Sequence, residues 1–340
     1  MINYQIKKIT QIKTDELASF YQNVFPKRSK FLVKNWRWLY RINYNNIEPI
    51  ILTNNNKIIG QLGLIPVNLR VGDQILSATW FVDFIITPEF QGKGAGSVLV
   101  KEAMKMSPIQ MAFSNQNALP VYKKFQWSLI PSMKRLGRPI NPIKWIPYLN
   151  SSNLKILKTI YNFNLKKKLN IINNIKPYSF NDNSKIITES FLKKKNLHSN
   201  NPEIERDESW LNWRLIKCPY ANNIKFFEYK NNYAIAHIFK DHNKIRLNII
   251  YHYFTEEDFK FELYNLITKW SIENHIDLIW GCSNDDAFIS SLKNIFPSNL
   301  LKPLTFVSYS SDENFYKKIK DGFKNIQGID SDVDSLPITE

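Results

Sequence analysis

Between Trp80 and Ile86 the chain carries a nearly unbroken, partly β-branched apolar run, the pattern of a strand buried on both faces. Thr87 and Pro88 stop it. Ala95, Val98, Leu99, Ala103 and Met106 then recur at helical spacing, which predicts a helix with one apolar face. Upstream, Tyr4–Ile9 reads as a strand and Asp15–Val24 as a helix with Leu17 and Phe20 inward. Pro49–Thr53 and Lys57–Pro66 form a hairpin around Asn54-Asn55-Asn56, and Gly72-Asp73 marks a second turn leading into the central strand. Ile109–Phe113 is the next buried strand, and a helix starts at Ser114-Asn115.

Strand, turn, loop and helix bracket Gln91-Gly92-Lys93-Gly94-Ala95-Gly96. Glycines at a helix start let backbone N–H groups approach an anion that the helix dipole also favours. A Walker loop would need glycine at Thr87 and Ser or Thr at Gly94. A dinucleotide fingerprint would need glycine at Ser97 and an acid about twenty residues on. No Asp or Glu lies between Glu102 and Asp182, so both readings fail.

The loop instead resembles the acyl-CoA pyrophosphate loop of the GNAT N-acyltransferases, Q/R-x-x-G-x-G/A. A second stretch is similar to that family's N-x-x-A-x-x-x-Y: Asn115, Ala118 and Tyr122 match, with Trp127 in place of the usual Phe and Gln126 in place of Gly. The resemblance covers roughly residues 1–140. It implies a mixed α/β (α+β) fold, with a central mixed sheet flanked by helices, and acetyl-CoA or another acyl-CoA as co-substrate. It further implies that Gln91, Gly92, Lys93, Gly94, Ala95 and Gly96 hold the pyrophosphate, and that Ile85 and Ile86 pair with pantetheine and polarise the thioester. Asn115 would bond the pantetheine arm or order a water, and Tyr122 would protonate the leaving thiolate. Asp83, the sole carboxylate of the central strand, is the candidate base if its surroundings are apolar, and is otherwise a structural, hydrogen-bonded Asp.

The rest of the chain changes this picture in three ways. Pro131–Pro147 is dotted with proline and reads as leaving the domain, and Asn153–Asn170 reads as a basic amphipathic helix. The second half weakly repeats the first: Trp210–Leu215 echoes Trp36–Tyr40, and Ile279–Ala287 echoes Met111–Ala118. In the place of a second cradle, Tyr253–Asp258 offers acids and no glycine, and Ser291 stands where a second tyrosine belongs. The expected organisation is therefore a catalytic domain at 1–140, a basic linker at 141–178, a degenerate GNAT-like domain at 179–327 and a mobile acidic tail at 328–340.

At 340 residues, with 44% hydrophobic residues, the chain can bury two cores. The two cysteines, Cys218 and Cys282, make no disulfide framework, and no His, Cys and carboxylate cluster has metal spacing. The N-terminus lacks a signal peptide's apolar core and no apolar run reaches transmembrane length, so the expected location is the cytoplasm. The net charge of +16 is concentrated between Ala103 and Asn181, which holds thirteen Lys and Arg and no acid. A block of this kind can face CoA phosphates, a nucleotide-sugar, nucleic acid or an anionic membrane. The expected acceptor is a primary amine, with an amino sugar of surface polysaccharide favoured, since a basic, aromatic-rich cleft suits a nucleotide-linked sugar. Trp36, Trp38 and Arg41 are the candidates to line its cleft. A peptidoglycan aminoacyltransferase of the Fem type and a non-catalytic protein binding nucleic acid or membrane are the rival readings.

Overall fold

The computed structural model describes residues 3–141, 175–179, 202–241, 243–254, 260–284, 303–323 and 326–332. Within them the first half runs β1 (Gln5–Lys8), α1 (Thr14–Val24), α2 (Ser29–Leu39), β2 (Ile50–Asn54), β3 (Lys57–Val71) and β4 (Gln74–Ile86). It continues with α3 (Ala95–Ala103), β5 (Ile109–Ser114), α4 (Leu119–Lys124) and β6 (Ser128–Pro139). The second half supplies β7 (Tyr178–Ser179), β8 (Glu203–Ile204), α5 (Glu208–Leu211), β9 (Ile224–Tyr229), β10 (Asn232–Asp241) and β11 (Lys244–Tyr253). After these come α6 (Lys260–Glu273), β12 (Leu278–Ser283), β13 (Leu304–Ser310) and α7 (Glu313–Lys320).

The strands form one mixed sheet in the order β1-β2-β3-β4-β5-β13-β6-β12-β11-β10-β9-β7, with β8 on the far part of β3. The order is nearly a mirror of itself. In the first half β2, β3 and β4 are antiparallel, and β4 then runs parallel to β5 across α3. The second half repeats this, with β9, β10 and β11 antiparallel and β11 parallel to β12 across α6. At the centre the halves interlock: β13 lies between β5 and β6, and β6 lies between β13 and β12.

β6 therefore corrects one expectation. Pro131 does not start an exit from the domain; Ser128–Met133 pairs with β13, and Lys134–Pro139 continues straight on to pair with β12. The tail corrects another. Gly328–Ser331 is buried, with Asp330 paired to Arg206 at 2.6 Å and Arg214 donating to the carbonyls of Ile329 and Ser331. Its charges face partners in the protein interior, so it is packed there as far as Asp332. The amphipathic segment 153–170, the acidic residues 255–258 and Ser291 lie outside the described residues.

Three cores follow the amphipathic faces. Leu17, Phe20 and Tyr21 of α1 and Leu32, Trp36 and Leu39 of α2 pack on one face of the sheet with Trp80 and Val82. Leu99, Ala103 and Tyr122 pack on the other with Leu62, Leu64 and Phe81. A third core lies under α6. The echoing tryptophans meet: Trp38 Nε1 donates to the Trp213 carbonyl at 2.9 Å, and Trp213 Nε1 donates to the Trp38 carbonyl at 2.7 Å. Trp36 is buried and Arg41 lies flat on Tyr44, 3.4 Å from the ring centroid, with its Nη2 on Ser209. Trp38 and Arg41 build the seam between the halves instead of lining an acceptor cleft, because the Trp38 indole and the Arg41 Nη2 are spent on the facing half, and Trp36 is buried in the core under α2.

Candidate active site

β4 and β5 separate where the sequence motifs converge. They pair from Ala78↔Ile109 to Phe81↔Ala112, and Val82–Ile86 has no partner beyond that on the β5 side. On the β3 side the register slips between Gln61↔Ile85 and Gly63↔Val82, so that two residues, Asp83 and Phe84, stand opposite Leu62. Asp83 adopts φ 46°, a left-handed conformation that costs a non-glycine residue energy. Such a bulge raises local twist and turns the strand away from its neighbour. Gly63 makes the bend possible, since a Cβ there would stand 2.6 Å from Tyr40 Cε1 and 2.9 Å from the Val82 carbonyl.

The gap is a cleft of about 450 Å³. Of the expected site residues, Ile85, Ile86, Gln91, Gly92, Gly96 and Asn115 line it, with Phe84 and Val121 as walls. At its mouth the loop turns through two left-handed glycines, Gly92 at φ 72° and Gly94 at φ 84°, into the N-terminus of α3. The N–H groups of Gly92, Gly94, Ala95, Gly96 and Ser97 donate to no carbonyl among the described residues, and the first helical bond is Val98 N to Gly94 O at 3.2 Å. Five unused donors at a helix start form a concave anion site. Gly96 also lets the helix approach Phe84, whose Cζ would lie 3.1 Å from an added Cβ.

The side chains of the loop have structural duties. Gln91 Nε2 donates to the Ile86 carbonyl at 2.9 Å and fastens the loop to the strand end. Tyr4 donates to the Lys93 carbonyl at 3.0 Å, and the Lys93 ammonium projects over Phe90. Asn115 spends its Oδ1 on the turn that leads into α4, accepting from the N–H groups of Asn117 and Ala118 at 3.0 and 2.9 Å. Its Nδ2 makes no hydrogen bond among the described residues and can donate into the cleft. Tyr122 stands behind the wall, 2% exposed, with its ring 4.5 Å from Trp127 and 6.0 Å from Phe84. Burial pushes the Tyr122 phenol up, so it stays protonated at neutral pH.

Asp83 differs most from expectation. It faces the α1–α2 side, where polar partners set among the apolar core residues meet its carboxylate. Arg28 Nη1 donates to Oδ1 at 2.7 Å and Tyr40 donates to Oδ2 at 2.9 Å. The chain of bonds runs on, from Gln61 Nε2 to Tyr40 Oη at 2.8 Å and from Tyr21 Oη to Gln61 Oε1 at 2.8 Å. Asp332 Oδ2 lies 3.8 Å from the same Arg28 nitrogen and brings the chain's last described residue to the site. Burial alone would lower the Arg28 pKa, but Asp83 and Asp332 outweigh it and raise it. Tyr21 and Tyr40 are both pushed up, by burial and then by the Asp83 charge. Arg28, Tyr40, Tyr21 and Asp332 stand in neither site motif of the sequence. Gln61 was the available signal, a polar residue at an inward position of an apolar strand.

Among the described residues no group of three or more His, Cys, Asp and Glu could hold a metal, and no helix is long and apolar enough to cross a membrane. Comparison with known proteins agrees with the geometry. A family model described as an acetyltransferase (GNAT) domain matches residues 5–130. A search of curated protein sequences found no match. Among solved structures the fold is similar to a GCN5-related N-acetyltransferase from Anabaena variabilis, at 15% identity, TM-score 0.57, covering 91% of this chain and 73% of that one. A GCN5-related N-acetyltransferase from Kribbella flavida aligns at 8% identity, TM-score 0.57, covering 91% and 71%. The N-myristoyltransferase of Saccharomyces cerevisiae with bound myristoyl-CoA aligns at 10% identity, TM-score 0.58, covering 90% and 82%. At such identities the likeness is one of fold. The splayed strands, the glycine loop and the family match agree: residues 5–130 of this chain match the GNAT acetyltransferase domain in sequence and fold.

Proposed function

We propose that the protein is an N-acyltransferase that moves an acetyl or short acyl group from acyl-CoA to a primary amine. The observation that carries this is the β4–β5 cleft opening onto five unused N–H groups at the start of α3. The donor's pyrophosphate sits on those groups, with Lys93 adding charge. Pantetheine runs down the cleft along the unpaired edge of β4 at Ile85 and Ile86, and Asn115 Nδ2 donates to one of its carbonyls. A backbone N–H of that edge polarises the thioester carbonyl as the amine attacks. Tyr122, kept protonated by burial, gives its proton to the departing thiolate, reached past the Phe84 ring, while the attacking nitrogen loses a proton to water and the phenolate regains one from it. The yeast neighbour holds an acyl-CoA thioester, which supports the same class of donor here.

Asp83 is assigned a positioning role. Its two oxygens already accept from Arg28 and Tyr40, and taking a proton from the amine would cancel the charge that the buried Arg28 guanidinium faces. Residues 179–327 are read as a degenerate GNAT copy that completes the first: the strand order supports this, since the second half repeats the antiparallel and parallel pairings of the first. An amino sugar of a surface polysaccharide remains an acceptor to assay. With Trp38 and Arg41 in the seam and Trp36 in the core, a nucleotide-linked form has lost the cleft that favoured it.

Acetyl-CoA offered with a panel of primary amines, glucosamine and spermidine included, and followed by free-thiol release tests the reading. Turnover with at least one amine is expected, and Tyr122→Phe should lower kcat about 100-fold with acetyl-CoA affinity unchanged. No thiol release with any amine, or a Tyr122→Phe enzyme as fast as the wild type, would contradict it.

A further inference from the structure

A second cleft lies beside the first, on the α1 side of the sheet. It holds about 760 Å³ between the start of α1, the β2–β3 turn and the residues that follow β4. The two clefts meet at the end of the central strand: Ile86 lines one, Thr87 lines the other, and Phe90 lines both. Asp15, Glu16 and Glu89 line the second cleft against a single ammonium, Lys57. None of the three carboxylates makes an ion pair among the described residues. On a chain of net charge +16 that is a local inversion of sign.

Charge alone has a simpler cause for two of them, because Asp15 and Glu16 stand in the first turn of α1 and favour its dipole. Two further features point to a ligand. Thr87 is 6% exposed and lines the cleft, and its hydroxyl makes no hydrogen bond among the described residues. Phe20 and Phe90 give the cleft an apolar wall between the acids. A ligand suited to it carries positive charge at its ends, methylenes between them, and an N–H for a hydroxyl oxygen.

We propose that this cleft binds the distal, unreacting ammonium of an aliphatic polyamine, so that the acceptor carries two or more charges. The role of acceptor site rests on the acyltransferase reading; the polyamine affinity itself does not. Spacing supports the class: from Phe84 at the splay to Thr87 is three strand residues, about 10 Å. An acceptor whose reacting amine enters at the splay places an ammonium of that spacing between Glu89 and the start of α1. A monoamine leaves the cleft unused, and binding energy from this remote charge serves to hold the reacting end.

Calorimetric titration of the full chain with spermidine and with n-butylamine, in low salt and without acyl-CoA, tests the inference. Spermidine should bind at least tenfold more tightly than butylamine, and Asp15→Asn/Glu16→Gln/Glu89→Gln should lose at least tenfold. Should the triple variant fail to fold for want of its α1 acids, Glu89→Gln alone, outside that helix, should lose about threefold. Spermidine no tighter than butylamine, or unaffected by neutralising the carboxylates, would overturn the proposal. Acetyl-CoA titrated in parallel separates the two readings: spermidine binding without acetyl-CoA binding upholds the cleft and removes its catalytic role. In turnover the triple variant should raise KM for spermidine at least tenfold and leave KM for acetyl-CoA within twofold.

Discussion

Asp83 shows how one residue ties geometry to electrostatics. Its left-handed backbone makes the bulge that parts β4 from β5, and its carboxylate, 3% exposed, holds the Arg28 guanidinium inside the protein. Removing one member of such a pair leaves a buried charge uncompensated, so Asp83→Asn should destabilise the fold by about 3 kcal/mol. Denaturant unfolding measures this, and a loss under about 0.5 kcal/mol would place the pair in the class of solvated surface bridges. His252 offers a pH test. Burial, with Arg206 adding to it, pushes the imidazole down to about 3. The unfolded chain binds a proton that the folded one rejects, so this contribution is complete above pH 6.5 and is lost as pH falls from 6.5 towards 3. The melting temperature should therefore drop between about pH 7 and pH 5, and His252→Gln should flatten that slope.

Among the elements, β13 decides what can fold alone. It is the last strand of the sheet in sequence, yet it fills the slot between β5 and β6, with Phe306 packed on Trp80 and Phe113. A fragment ending at residue 140 leaves β5 with an open edge and Trp80 without its stacking partner. It should show no cooperative melt by circular dichroism, and co-expression with residues 141–340 should restore one; a fragment that melts cooperatively alone would contradict the interlock. The elements around the site were legible because local patterns define them: Leu99 and Ala103 recur at helical spacing, Asn115 closes the turn into α4, and Gly72 turns a hairpin with φ 60°. β6 was not legible. Pro131 reads as a break, yet proline is tolerated here at a strand whose pairing passes from β13 to β12 within a few residues. The Arg28–Asp83–Tyr40 cluster was hidden for a related reason, since contacts between residues 43 and 55 positions apart leave no periodic trace.

At the scale of the molecule the second half acts as part of the first. It supplies β13 to the sheet, Trp213 to the seam and Asp332 to the Arg28 pair, while its own acid–base groups lie far from the glycine loop in sequence. The tail is held by Arg206 and Arg214, so the charge beside Asp83 depends on how the two halves close. In the proposed function the loop at the start of α3 holds the donor. Gly94 and Gly72 provide a matched pair for testing it, because both have positive φ and open space where a side chain would go, so glutamate strains the backbone alike at either position. Calorimetric titration of acetyl-CoA into the wild type, Gly94→Glu and Gly72→Glu should show micromolar binding in the first and third and none in the second. Binding that survives Gly94→Glu, or that the wild type lacks, would contradict the donor site described for this loop.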